Sequence, residues 1–257
     1  MRALIYSDVH ANWEALQAMA ARAAATAGGY DASVCLGDLV GYGADPNQTT
    51  AWVREHTPLV VRGNHDRACA SLDGLAWFNP SAASAARWTH AALTPENTAW
   101  LQALPAGPLA WQGLSVMHGS PLDEDDYLLD PVQAAGAFTA TAATPQQWFG
   151  HTHLQGGFVL ADDQVRPFLT ATDGPLSVHA HAAMTVLALE PGARYMLNPG
   201  SVGQPRDGDW RAAFAILDTA RQCVEFHRVP YDLQTAQRRI VEAGLSPRLA
   251  ARLAKGK

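Results

Sequence analysis

Short apolar runs separated by amphipathic stretches dominate the first 65 residues of the chain. The runs Ala3 to Ser7, Ser33 to Leu36 and Leu59 to Val61 lack the alternation of apolar and polar residues that marks a strand with one face in water. Such uninterrupted runs are typical of parallel strands buried on both faces. Asn12 is a suitable N-cap for a helix after the first run, and Ala51 to His56 predicts a short helix before the third. The pattern therefore predicts β–α–β units.

The middle and the end of the chain have different patterns. Asn79-Pro80 and Thr94-Pro95 each have the form of an N-cap followed by a proline in the first helical turn. We therefore interpret 69–108 as a helical insertion that covers one side of the sheet. The chain from 156 to 228 is rich in strand patterns, and 233–257 is a helical tail with a break at Ser246-Pro247. No segment has the composition of a linker, so we expect a single domain over 1–257.

Composition and charge narrow the class of protein. Of the 257 residues 48% are apolar and 16% are charged, which supports a sizeable core and argues against disorder. The net charge is −6, without a run of Lys or Arg, so we expect no duplex nucleic acid as a partner. No apolar run is long enough for a signal peptide or a membrane span, so we expect no membrane partner. Cys35, Cys69 and Cys223 have no paired spacing, which favours a reducing, cytoplasmic location. The oligomeric state stays open.

Each apolar run ends in a polar cluster, including two later runs at Leu114 to Met117 and Trp148-Phe149. Open α/β sheets place their ligands at such carboxyl ends of strands. A set of imidazole, carboxylate and amide groups without a thiolate suits Mn, Fe, Co, Ni or Zn better than an all-oxygen Mg or Ca site. The set is too large for one ion, and one carboxylate can bridge two. Its members are Asp8, His10, Asp38, Asn64, His65, His118, His151 and His153.

Two His-x-His pairs occur, and they call for different interpretations. His151 and His153 follow an apolar run and Gly150, so their side chains can leave a strand end on the same side. Alone this pair is weak evidence, and it becomes informative because other strand ends carry metal-type ligands. No carboxylate at the end of an apolar strand accompanies His179 and His181, so their pattern is typical of an exposed strand.

A known signature is present in these clusters. Their order and spacing resemble those of the calcineurin-like metallophosphoesterases, in the blocks Asp8-Val-His10, Gly37-Asp38, Gly63-Asn64-His65-Asp66, His118 and Gly150-His151-Thr-His153. The stretch Asn198 to Arg206 resembles the small bacterial and archaeal phosphodiesterase branch, which extends the resemblance to most of the chain. The resemblance implies an α/β (α+β) fold, a four-layer αββα sandwich of two mixed β-sheets flanked by helices.

The resemblance also implies a site for two divalent transition-metal ions, with Mn favoured among Mn, Fe, Zn, Ni and Co. His65 is expected to be catalytic and to face the phosphate without binding metal. In-line attack by a hydroxide held between the two ions would hydrolyse the ester. The implied ligands are Asp8, His10 and His153 for one ion, Asn64, His118 and His151 for the other, and Asp38 as the bridge.

One departure from the family concerns the phosphate. Phosphoprotein phosphatases follow the bridging Asp with an Asp-Arg pair, and this chain has Leu39 to Gly43 there, which puts phosphoprotein hydrolysis in doubt. Asp66 and Asp45 are the candidates for orienting His65. Arg206 is either a phosphate contact or a surface residue paired with a flanking carboxylate, and Asn12 is either a substrate ligand or a helix cap.

Three functions remain open from the sequence. The first is a dinuclear phosphoesterase, most simply a phosphodiesterase, with a small phosphoester or nucleotide as substrate; phosphomonoesterase or nucleotidase activity is the variant of this hypothesis. The second is a non-catalytic metal-binding scaffold of the same fold. The third, a nuclease that acts on long DNA, is disfavoured by the negative net charge.

Overall fold

Two six-stranded mixed sheets form the centre of the computed structural model, which describes residues 1–141, 144–170 and 183–257. The first sheet has the spatial order β3 (Leu59–Val60), β2 (Ala32–Cys35), β1 (Arg2–Tyr6), β11 (Ala212–Asp218), β12 (Cys223–Val229) and β9 (Met184–Ala188). The second has the order β4 (Leu109–Trp111), β5 (Leu114–Val116), β6 (Gln146–Trp148), β10 (Arg194–Asn198), β7 (Gly156–Ala161) and β8 (Gln164–Leu169).

Each sheet contains three neighbouring parallel strands. In the first sheet these are β1, β2 and β3, and in the second they are β5, β6 and β10. The remaining neighbours are antiparallel. Because parallel strands present their carboxyl ends at one edge, the loops that follow them in each sheet emerge together.

Eight helices and one 3-10 turn accompany the sheets in the described part of the chain. Five helices have a proline in the first turn, which suits that position because its missing N–H would be unbonded there anyway. The helices are α1 (Trp13–Ala24), α2 (Pro46–His56), α3 (Asn64–Ser71), α4 (Pro80–Ala92), α5 (Pro95–Gln102), α6 (Pro131–Ala140), α7 (Leu233–Glu242) and α8 (Pro247–Leu253), and the turn is Leu75–Trp77.

The hydrophobic contacts confirm the four-layer αββα sandwich. In β1, Ala3 and Ile5 point into the core between the two sheets, while Leu4 and Tyr6 point into the core under the helices. This double burial explains why the run has no polar alternation, and each large buried side chain contributes about 1.5–3 kcal/mol. The helices of the first layer cover the outer face of the first sheet, and α6 covers the outer face of the second through Phe138.

The structure differs from the sequence prediction at two helix starts. Helix α2 begins at Pro46 instead of Ala51, and α3 begins at Asn64, so that Asn64 and His65 lie in a first helical turn. The predicted exposed strand around His179 and His181 lies outside the described residues. Among the described residues, no helix is both long enough and apolar enough to cross a membrane.

Candidate metal centre

The polar clusters of both sheets meet at the carboxyl ends of the parallel strands. Asp8 and His10 follow β1, Asp38 follows β2, and Asn64 begins the helix after β3. His118 follows β5, and His151 and His153 follow β6. All seven side chains are buried, with exposed fractions between 0% and 7%. The structure thus brings together every residue that the sequence proposed as a metal ligand.

Backbone strain is concentrated at this centre. Asp8, His10, Asp38, His151 and His153 all have a positive φ, between 48° and 63°, although none is glycine. Such conformations cost on the order of 1–3 kcal/mol each and persist only where the surroundings enforce them. Gly150 permits the close approach at one of these turns, because a Cβ there would lie 3.0 Å from Asp8 Oδ2. The strain marks this loop cluster as a functional site.

His10 and His153 face each other with their free ring nitrogens. The Nδ1 of His10 lies 3.1 Å from the Val40 carbonyl, and that of His153 lies 2.5 Å from the Gln204 carbonyl. Since a carbonyl only accepts, both Nδ1 atoms carry the hydrogen, and both Nε2 atoms offer a lone pair. Burial holds the pKa of both rings well below its usual value, so both are neutral at pH 7. The two Nε2 atoms nevertheless lie only 3.0 Å apart, which is unfavourable unless a cation lies beside them.

Asp38 connects two groups of ligand atoms. Its Oδ2 lies 3.6 Å from His10 Nε2 and 3.4 Å from His118 Nε2. Asp38 belongs both to the group Asp8, His10, Asp38 and His153 and to the group Asp38, His118 and His151, and within each group the ligand atoms lie within 4.8 Å of one another. Atoms that bind an ion at about 2.0–2.2 Å are expected at about such separations.

The second group is built around His118. Its Nδ1 donates to the Leu36 carbonyl at 2.8 Å, and its Nε2 lies 3.3 Å from Asn64 Oδ1. Burial alone would lower the pKa of His118, but the Asp38 carboxylate raises it to about 10. The ring therefore holds a proton between two oxygen atoms when no ion is bound, and a metal ion is the natural replacement for that proton. His151 donates Nε2–H to the Asp125 carbonyl at 3.1 Å, which leaves Nδ1 as its free nitrogen.

The donor set fits divalent metal ions. Each histidine has one nitrogen fixed by a carbonyl, which is the usual arrangement for histidines that bind metal through the other nitrogen. Asp8 Oδ2 is buried and has no hydrogen-bond partner among the described residues, although an unpaired buried carboxylate oxygen is costly. Burial raises the pKa of Asp8. Burial would also raise the pKa of Asp38, but the imidazoles of His118 and His65 outweigh this effect and hold the pKa of Asp38 well below its usual value.

The ring of His65 is positioned by packing against other rings. It lies 4.4 Å from the ring of Tyr42 and 4.6 Å from that of Phe78. The backbone N–H of His65 donates to Asp38 Oδ1 at 2.8 Å. Its Nδ1 is buried without a partner in the described part of the chain. Burial lowers the pKa of His65 to about 4, against the opposing effect of Asp38.

The two carboxylates considered for orienting His65 have other roles. Asp66 accepts hydrogen bonds from the backbone N–H groups of residues 38, 39, 40 and 63 at 2.8–3.3 Å, and thereby fixes the loop that carries Asp38. Burial, and then the charge of Asp38, raises the pKa of Asp66 to about 7. Asp45 pairs with Arg239. Neither of these two candidates has a hydrogen bond to the ring of His65 in the described part of the chain.

The carboxylates beside Arg206 also have other partners. Asp207 pairs with Arg228, and Asp209 pairs with Arg211 at 2.6 Å. Arg206 makes one side-chain hydrogen bond, from Nη2 to Gln204 Oε1 at 3.1 Å, and its Nε is buried without a partner among the described residues. The surface ion pair that the sequence left open is thus not formed.

Asn12 has a structural role. Its Oδ1 accepts from the Ala15 N–H at 3.1 Å as the cap of α1, and its Nδ2 donates to the Gly203 carbonyl at 2.8 Å. Each end of the amide therefore has one structural contact, and these contacts support the interpretation of Asn12 as a helix cap.

A cleft of about 490 Å³ opens beside the second ligand group. Aromatic side chains line it, among them Trp77, which is 91% exposed, and Tyr127, whose ring stacks on His151 at 3.9 Å. Asp123 and Asp125 also line the cleft, and the carboxylate of Asp125 is paired with Arg67 at 2.8 Å. Trp77 and Tyr127 could not be identified from the sequence, because neither lies in a strand-end cluster.

The fold and the buried Asp/His cluster together define a metallophosphoesterase, a class of phosphoester hydrolases. Residues 1–185 match the family model described as calcineurin-like phosphoesterase, and the chain belongs to that family. It is 32% identical, over 98% of its length and 97% of the other chain, to the uncharacterized protein MJ0912 of Methanocaldococcus jannaschii.

Solved structures agree with this assignment. A metallophosphoesterase from Sphaerobacter thermophilus is 38% identical and superposes with a TM-score of 0.82 over 100% of this chain and 99% of that one. The hypothetical protein PH1004 from Pyrococcus horikoshii OT3 is 17% identical, with a TM-score of 0.78 over 100% of this chain and 98% of that one, and so shares the fold.

Proposed function

We propose that the protein is a dinuclear metal-dependent phosphodiesterase. The observation that supports this most directly is the position of Asp38, which belongs to both groups of buried ligand atoms. Ions held by these groups supply Lewis-acid polarisation of a phosphoryl oxygen and a nucleophile at neutral pH. The nitrogen and oxygen donors, without a thiolate, suit transition metals, and we favour Mn among Mn, Fe, Zn, Ni and Co.

The grouping of the buried donor atoms supports a division of the ligands between two ions, with Asp38 serving both. Each of the four histidines is fixed through its other ring nitrogen before any ion binds. Asn64 completes the second set through Oδ1, which lies beside His118 Nε2. In this assignment Asp8, His10 and His153 hold one ion and Asn64, His118 and His151 hold the other.

His65 and Arg206 are proposed to act on the phosphate. His65 lies beside both ligand groups, and its ring is 5.0 Å from that of His10. It needs no metal contact to fulfil this role, because Tyr42 and Phe78 already hold the ring in place. The guanidinium of Arg206 has no carboxylate partner in the described ranges, so it is available for charge-assisted hydrogen bonds to phosphate oxygens.

The cleft favours a nucleotide or another small aromatic phosphoester as substrate. Its volume lies within the usual range for small-molecule sites, about 300–1,000 Å³, and its aromatic walls can stack on a planar group. Asp123 would repel a second phosphate there, and the cleft lining in the described part of the chain has no Lys or Arg to attract one, since the carboxylate of Asp125 is already paired with Arg67. We therefore expect the cleft to hold an uncharged ester substituent, which is the reason for preferring a diester over a monoester.

The location is proposed to be cytoplasmic. All three cysteines are buried and free, including Cys35 in β2, which fits a reducing compartment.

Hydrolysis of bis-p-nitrophenyl phosphate by Mn-loaded protein tests the proposal, with EDTA-treated protein as the control. We expect activity only with metal, and a lower rate with p-nitrophenyl phosphate. Asp38→Asn should lose activity together with at least one of two ions in a metal analysis. Inactivity of fully loaded protein towards diesters, monoesters and nucleotides would favour the scaffold instead, and faster hydrolysis of the monoester would favour a phosphomonoesterase.

A further inference from the structure

Two arginines from distant parts of the chain lie against one ring at the metal centre. The guanidinium carbon of Arg206 is 6.0 Å from the centre of the Tyr42 ring, and that of Arg252 is 5.9 Å from it. The Tyr42 ring itself lies 4.4 Å from that of His65 and 4.8 Å from that of His10. Arg252, in helix α8, therefore belongs to the surroundings of the site although it was not a candidate from the sequence.

Neither arginine is neutralised by a carboxylate side chain in residues 1–141, 144–170 or 183–257. Arg206 hydrogen-bonds to the neutral Gln204, and Arg252 donates from Nε to the main-chain oxygen of Lys257. Burial and the charge of Arg206 lower the pKa of Arg252. Two like charges held close together in a partly buried place repel each other, so the arrangement favours an anion between or beside them.

The position of Arg252 is fixed by the packing of α8. Leu249 and Leu253 of this helix are buried in the core under the first sheet, and Gln237 of α7 donates to the Ala250 carbonyl at 2.8 Å. Beyond the helix, the Gly208 N–H donates to the Gly256 carbonyl at 3.0 Å. The chain after α8 is thereby attached to the loop that carries Arg206, and the two arginines are placed together.

The charge of the site exceeds what a simple diester needs. Two divalent ions less the carboxylates of Asp8 and Asp38 and one hydroxide leave roughly one positive charge, and the two guanidinium groups add two more. A diester carries only one negative charge. None of the described residues that line the aromatic cleft is a Lys or an Arg, and Asp123 is among them, so additional negative charge on the substrate is better placed on the arginine side.

We propose that Arg206 and Arg252 form a subsite for a second phosphoryl group of the substrate, next to the phosphate that is hydrolysed. The substrate class is then a phosphoester or phosphoanhydride with a second phosphoryl group close by, such as a nucleoside with adjacent phosphates. This inference rests on the proposed function, because it takes the metal centre as the place of the reacting phosphate.

Calorimetric binding to Mn-loaded protein tests the subsite without turnover, so that its failure can be told apart from a lack of phosphodiesterase activity. The two probes are inorganic phosphate and methylenediphosphonate, which has two phosphoryl groups and is not hydrolysed. The variant is Arg252→Gln, and the matched control is Arg248→Gln, which removes the same charge from an exposed position of the same helix. Every protein is titrated at the same free Mn concentration, so that chelation of Mn by the probe affects all of them equally.

We expect the wild type and Arg248→Gln to bind methylenediphosphonate at least tenfold more tightly than phosphate. Arg252→Gln should reduce this preference to threefold or less, and Arg252→Lys, which keeps the charge, should restore part of it. The proposal is overturned if the wild type has no preference, if Arg252→Gln keeps it, or if Arg252→Gln weakens both probes equally. Metal content and melting temperature are also measured for each variant. If Arg252→Lys lowers these values as Arg252→Gln does and also loses the preference, the effect of the substitutions is structural and the subsite is contradicted.

Discussion

Gly41→Ala is expected to displace His65 without touching a ligand of the metal centre. A Cβ built on Gly41 would lie 2.5 Å from His65 Nδ1 and 3.2 Å from its Cγ, whereas ordinary van der Waals contact begins at 3.4 Å. The ring therefore has to move by roughly 1 Å, a displacement that can lower a rate by about 10²-fold. Because Tyr42 and Phe78 pack against the same ring, the shift also disturbs these two contacts.

Gly113→Ala supplies the control for backbone strain. Gly41 and Gly113 have nearly equal φ values, +87° and +81°, but a Cβ on Gly113 would meet nothing within 4 Å. Both substitutions should cost about 1–2 kcal/mol because alanine disfavours the left-handed region. In a chain of this size each should lower the melting temperature by roughly 2–4 °C per kcal/mol.

The assay is hydrolysis of bis-p-nitrophenyl phosphate by Mn-loaded protein, with metal content and melting temperature measured on the same samples. Gly41→Ala should lose about 10²-fold in kcat while it keeps both ions, and Gly113→Ala should stay within about threefold of the wild type. If the two variants have the same kcat, His65 does not need its observed position, and its assignment to the phosphate is wrong.

Four further changes test other parts of the site and the fold. His65→Gln should keep both metals and lower kcat by roughly 10²–10⁴, and a fall in metal content would contradict this. Arg206→Ala should lower kcat/KM at least tenfold, since a charge-assisted contact contributes about 1.5–3 kcal/mol; an unchanged kcat/KM with a lower melting temperature would make it structural. Asp66→Asn should lower the melting temperature and weaken Mn binding measured by calorimetry, because four backbone N–H groups lose a charged acceptor. Burial lowers the pKa of His227 to about 4, so the folded protein binds its proton less readily than the unfolded chain, and stability falls between pH 6.5 and about 4. His227→Gln should therefore lose less melting temperature than the wild type between pH 7 and pH 5.

The proximity of the proposed ligands could be predicted because the signals are local. Asp8, Asp38 and His118 each follow an apolar run that is long enough to identify a buried strand. Once the strands are assigned, the carboxyl ends of parallel neighbours bring the following residues together without any knowledge of the side-chain contacts. The same local character explains why the caps Asn12, Asn79 and Thr94 were recognised, since each bonds to a backbone N–H three residues on.

The contacts that support these ligands are not local, and the sequence did not reveal them. Helix α3 begins with Asn64, His65 and Asp66, residues of modest helix propensity, and its N-cap is a glycine without a side chain to signal the start. The role of Asp66 depends on backbone groups 26 to 28 residues away, at the end of a different strand. No sequence pattern distinguishes a carboxylate that accepts hydrogen bonds from backbone N–H groups in this way from one that binds a metal ion or orients a histidine.

Arg252 is the clearest example of a residue whose position could not be predicted from the sequence. In an amphipathic helix whose apolar positions are Leu249 and Leu253, an arginine at 252 has the pattern of an ordinary solvated charge. Its place beside Tyr42 follows from the packing of α8 on the first layer and from the bond between Gly208 and Gly256. Those contacts join residue 256 to a loop about 50 residues earlier, and they place a second cation beside Tyr42. The proposed metal ligands at the strand ends are thus positioned by the sheet, whereas the groups proposed to select a substrate are positioned by packing between layers, which the sequence pattern does not indicate.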